Sequence, residues 1–159
     1  MASTGTEGIV MDLVSLKNAF VAAAFLFAVG HTDMTLAHSL RGALGSRAQA
    51  TDLYQITCFA EDGGPPTDLL RVRVRDNPPV RKPLVSFQVQ KGSVAANRTD
   101  ATDGDAKYSP WIINHGGDGV YHVLVDKSSV GTETYSLEFH CESRTDIHTG
   151  SEDVQLQNQ

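Results

Sequence analysis

Beyond Thr51, apolar side chains fall at every second position, and this period constrains the chain more than any other feature. A repeat of two matches a half-buried strand and is out of phase with an amphipathic helix, whose repeat is 3.6. Tyr54, Ile56 and Cys58 alternate with Gln55 and Thr57, and Leu70, Val72 and Val74 alternate with Arg71, Arg73 and Arg75. Val85-Ser86-Phe87-Gln88-Val89-Gln90 and the run Tyr135 to Cys141 repeat the pattern. Val120 to Asp126 reads as a more buried strand, and a weaker one is expected through Trp111-Ile112-Ile113. Gly63-Gly64-Pro65-Pro66, Asn77-Pro78-Pro79 and Gly116-Gly117-Asp118-Gly119 separate the runs. They are turn chemistry, because glycine permits positive φ and proline lacks an N–H donor. No helical period follows Thr51, so nothing is available to cover a parallel sheet. The expectation is an all-β, antiparallel sandwich over residues 51–141. Residues 142–159 read as a polar tail, in which Val154-Gln155-Leu156-Gln157 can add one strand.

The first fifty residues have a different character. Ala19 to Gly30 is twelve residues without a polar side chain, preceded by Lys17 and stopped by His31-Thr32-Asp33. A membrane-spanning helix needs about 20 apolar residues, whereas this length suits the hydrophobic helix of a secretory signal peptide. Residues 1–50 are therefore expected to be a leader, starting at Met1 or Met11 and cleaved after Ala50 or after Ser39. A buried helix or a retained anchor is the competing reading. The leader hypothesis places the domain in a secreted or periplasmic setting, with no stable membrane span after cleavage.

Charge and cysteine content narrow the class. Lys17, Arg41 and Arg47 balance Glu7, Asp12 and Asp33, so the whole net charge of −6 belongs to residues 51–159. That sign disfavours nucleic acid and anionic lipid as partners. The two cysteines, Cys58 and Cys141, both sit on the inward parity of their strands. In an exported chain that points to a disulfide. Closing so long a loop stabilises by roughly 4–5 kcal/mol in the loop-entropy account. A Cys/His metal site or a reactive thiol is the alternative.

Some strand words carry a family resemblance. Thr51-Asp52-Leu53-Tyr54-Gln55-Ile56-Thr57 is similar to the opening strand of bacterial pre-peptidase C-terminal (PPC) domains. Gly117-Asp118-Gly119-Val120-Tyr121-His122-Val123-Leu124-Val125, followed by Gly131 and Tyr135-Ser136-Leu137-Glu138-Phe139, resembles that family's closing hairpin. The resemblance covers about residues 51–141. It implies a jelly-roll-like β-sandwich in a secreted protein, usually a non-catalytic appendage to a peptidase.

Three groups of residues are candidates for chemistry. Asp100, Asp103 and Asp105 lie on a glycine-containing loop, and Asp118, with Asn97, joins them if loops meet. Calcium wants six to eight oxygens, so this is a possible cofactor site, with a solvated acidic loop as the alternative. If the strands around residues 122 and 138 form a hairpin, His122, His140 and Glu138 share an outward face and suit zinc or copper. Otherwise they are solvent-facing strand residues. Arg71, Arg73 and Arg75 form a stripe able to grip a carboxylate or anionic glycan, or one neutralised by neighbours such as Glu138. Asn97-Arg98-Thr99 is a formal glycosylation sequon.

Nucleophile-elbow, zinc-protease-helix, phosphate-loop and dinucleotide motifs are absent from the sequence. The expected role is that of a non-catalytic binding or accessory module with a protein or glycan partner. The alternatives are a subunit of an extracellular assembly or filament joined by strand addition at its edges, and a metal-binding protein.

Overall fold

A computed structural model describes Met1 and residues 38–159 apart from 80 and 81. The leader segment, Ala19 to Gly30 included, lies outside these residues. Nine strands follow one another: β1 His38–Leu44, β2 Asp52–Phe59, β3 Leu69–Asp76, β4 Val85–Lys91, β5 Val94–Thr99, β6 Ile112–Asn114, β7 Gly119–Lys127, β8 Glu133–Glu142 and β9 Gly150–Gln157. They form two antiparallel sheets, ordered β1-β8-β3-β6 and β5-β4-β7-β2-β9. The result is the all-β sandwich that the period of two predicts.

The core lies between the sheets and is made by the inward parity of each strand. Tyr54, Ile56, Phe87, Val89, Tyr121, Val123 and Val125 come from the five-stranded sheet, and Leu70, Val72, Val74, Tyr135, Leu137 and Phe139 from the four-stranded one. Cys58 on β2 and Cys141 on β8 are bonded across the two layers, with Cα atoms 5.6 Å apart. This disulfide points to an oxidising, non-cytoplasmic compartment. Among the described residues no helix is long and apolar enough to cross a membrane.

The sandwich extends past residues 51–141 at both ends. β1 lies within the stretch assigned to the leader, pairs along β8 and buries Leu44 in the core. Cleavage after Ala50 removes this strand, whereas cleavage after Ser39 leaves most of it. The polar tail is a strand too, and β9 pairs with β2 of the same chain. The strand that Val154-Gln155-Leu156-Gln157 suggested is longer than those four residues, and β1 gave little signal, because edge strands need little apolar surface and both are largely exposed.

One expected pairing does not form. β7 and β8 are consecutive, yet they are not a hairpin. β7 pairs with β2 and β4, while β8 pairs with β1 and β3 in the facing sheet. Alternation fixes which side chains point inward, but it reads the same for a hairpin within one sheet and for an arch between two layers.

Candidate metal centre

Glu138, His140 and Glu142 occupy successive outward positions on β8, the parity opposite to Leu137, Phe139 and Cys141. Outward does not mean solvated here. β8 is central in its sheet, and all three side chains are buried. β3 supplies part of the cover. In the register Arg71 stands opposite His140 and Arg73 opposite Glu138. Arg73 grips Glu138 with both Nε and Nη2, at 3.0 and 2.7 Å to Oε2, and Arg71 pairs with Glu142 at 2.7 Å. Two arginines of the stripe are thus neutralised by acids on the adjacent strand, while Arg75 donates to the neutral Asn77 and Ser136 side chains.

A second layer closes over the arginines. Ser109 donates its N–H to the Val74 carbonyl, and its hydroxyl accepts from the Val74 N–H, which ties the preceding loop to β3. Tyr108 and Trp111 then lie over the guanidinium groups, Arg73 being 4.4 and 4.2 Å from their ring centres. Cation–π contacts of this kind gain strength when desolvated. Trp111 also meets the His140 ring edge-on at 5.4 Å.

The last component comes from the turn after β8. Ser143 accepts N–H bonds from Thr145 and Ile147 through its hydroxyl, and a backbone bridge sets His148 opposite Glu142. His148 Nε2 lies 3.5 Å from Glu142 Oε1, and its ring meets that of His140 at 4.8 Å. His140, Glu142 and His148 consequently bring one donor atom each to within 4.8 Å of one another. On tetrahedral zinc, with bonds of 2.0–2.1 Å, donors stand about 3.4 Å apart. Side-chain movements of about an ångström close the difference. His148 is partly exposed, which leaves that side open.

The electrostatics favour a ligating imidazole. His140 Nε2 is 3.1 Å from Glu138 Oε1, and its Nδ1 is buried without a hydrogen-bond partner. If Nε2 carries the proton toward the carboxylate, Nδ1 presents its lone pair. A carboxylate behind a histidine is the usual second support of a metal ligand. Burial holds His140 below the ordinary histidine range, and Arg71 and His148 add to this against Glu138. Burial also pushes Glu138 upward, but hydrogen bonds from His140 and Arg73 outweigh it and hold this carboxyl low.

The expected His122, His140 and Glu138 trio is therefore only partly assembled. Glu138 and His140 touch, but His122 is exposed on β7, opposite Gln55 and Gln90 in the other sheet. Glu142 and His148 take its place. Their sequence signature was present: Glu138-x-His140-x-Glu142 keeps one face for three steps, and His148 follows shortly after. The four aspartates divide as well. Asp105 caps the Lys107 N–H and Asp118 accepts from the Thr67 N–H, whereas Asp100 accepts from the Asp76 N–H and Asp103 keeps a buried Oδ1 with no hydrogen-bond partner among the described residues. No family model matches the chain, nor does any curated protein.

Proposed function

We propose that this chain is an exported, non-catalytic β-sandwich module that binds a divalent transition metal, with zinc as the best chemical fit. The observation that carries the reading is the buried His140 ring. One nitrogen is held by Glu138 and the other lacks a partner, and the residue clusters with Glu142 and His148. Two imidazoles and a carboxylate are a zinc-compatible donor set that leaves a position for water or a partner's group. Both nearby carboxylates are committed to arginines, Glu138 to Arg73 and Glu142 to Arg71. The apolar leader and the disulfide support export. The PPC-like opening words Thr51 to Thr57 support a jelly-roll-like arrangement and an accessory role, although the hairpin expected of the closing words does not form.

The test is zinc titration by calorimetry on the full, disulfide-bonded chain, together with metal analysis of protein purified without chelators. His148→Ala removes a partly exposed ligand and should weaken zinc by more than about tenfold. His122→Ala should bind as the parent does. Equal affinity in the parent and His148→Ala, with the melt unchanged, rejects the site.

A further inference from the structure

At the far end of the core the inward parity runs on into two acids. On β3 the series Leu70, Val72, Val74 ends in Asp76, and on β8 Glu133 precedes Tyr135 and Leu137. Asp76 and Glu133 are 0% and 1% exposed. Among the described residues no N–H or hydroxyl donor reaches either carboxylate oxygen of Asp76, Glu133 Oε2 or Asp103 Oδ1, and the Asp76 and Glu133 carboxyls have only each other, through a shared proton. The contrast is Asp52, another inward acid, which accepts from the Tyr135 hydroxyl and the Gln159 N–H. Buried carboxylates left without donors are costly, and a positive charge among them removes that cost.

Among the described residues no side-chain cation fills this role. Burial pushes the Glu133 carboxyl up, and the opposing pull of Lys127 is minor, because its ammonium donates to the Gly45 and Gly131 carbonyls. Asp100 and Asp103 add their charge to Asp76. Asp100 is fixed beside it by accepting the Asp76 N–H at 2.9 Å. All the available donors are carboxylate oxygens, the preference of a hard ion.

We infer that Asp76 and Glu133 are the nucleus of a cation site for calcium, completed by Asp100 and Asp103. The site is separate from the histidine centre and does not depend on it. Among the described residues, three donors come within 4.8 Å of one another only at His140, Glu142 and His148. Calcium binding therefore draws the Asp103 loop inward, and the variable coordination of calcium, with water and backbone carbonyls, allows this. The ion joins the ends of β3 and β8 to the loop that leaves β5, and so ties one sheet to the other.

The experiment is a thermal melt of chelator-stripped full-length chain with and without calcium at about 1 mM, the range of extracellular calcium modules. The parent should gain several degrees. Asp76→Asn/Glu133→Gln should gain nothing from calcium, while Asp105→Asn/Asp118→Asn and His148→Ala keep the gain. Should the first double variant fail to fold, trypsin cleavage after the exposed Lys107 of the parent gives a second readout, and calcium should slow it. An unchanged parent melt, a gain that survives Asp76→Asn/Glu133→Gln, or cleavage at Lys107 indifferent to calcium overturns the inference.

Discussion

Tyr135 reaches across the core to bond two partners, and its position depends on a missing methyl group. Its hydroxyl lies 2.7 Å from that of Tyr54 and 2.5 Å from Asp52 Oδ2, which fixes the ring over Gly42 on β1. A Cβ at Gly42 would lie 2.2 Å from that ring. Gly42→Ala should therefore cost about 1–3 kcal/mol in urea unfolding, as overpacking does. Gly150→Ala meets the Phe59 ring at 2.3 Å. Phe59 is partly exposed and can swing toward solvent, so the loss there should be smaller. Equal losses would contradict a ring held by its hydroxyl. Glu138 acts at the same scale, through another residue. Glu138→Gln should lower zinc affinity about 10–100-fold by loosening the His140 tautomer, read by competition with a chelating dye. In the sequence the partners of Tyr135 are not visible, because Asp52 and Tyr54 lie more than eighty residues earlier. Glu138 and His140 are visible as neighbours, since residues two apart on a strand share a face.

Edge strands decide what the elements do when removed. A chain beginning at Thr51 lacks β1, which uncovers the backbone edge of β8 from Glu133 to Phe139 and leaves a cavity at Leu44. It should aggregate or melt well below a chain beginning at His38 in circular dichroism. Deleting residues 143–159 removes β9 and exposes the edge of β2. Open edges template further pairing, so this variant should elute from gel filtration as a larger species than the intact chain. Identical elution would show that β9 is not guarding that edge. The central strands were legible from their alternation because each has one fully buried face. β5 was not, since Val94-Ala95-Ala96-Asn97-Arg98-Thr99 is exposed along its whole length and carries no apolar period.

For the whole molecule, the disulfide and the buried acids set stability. Cys58→Ser/Cys141→Ser should lower stability by roughly 4–5 kcal/mol through the lost loop constraint, seen as a fall in the melting temperature. An unchanged melt would argue that the cross-link between sheets is dispensable. Burial, then the charge of Glu133, pushes Asp76 up to about 7, and burial raises Asp126 as well. An acid raised on folding keeps its proton at pH values where the unfolded chain has released it. Its contribution is full below about pH 4, falls as pH rises, and is gone above about 7. Glu138, held low, has the opposite sign, and its contribution is lost only as pH falls below about 4.3. In calcium-free buffer the melting temperature should therefore decline between about pH 4 and pH 7, and Asp76→Asn should flatten the decline. By itself the sequence determined the central strands, their inward faces and the pairing of the two cysteines. These follow from the two-residue repeat of the extended backbone, which is local. Only the tertiary structure decided which sheet each strand joins. That choice separates His122 from His140, sets His148 beside Glu142 and brings Asp76 to Glu133, because a strand's repeat fixes which way side chains point but not which strand lies next to it.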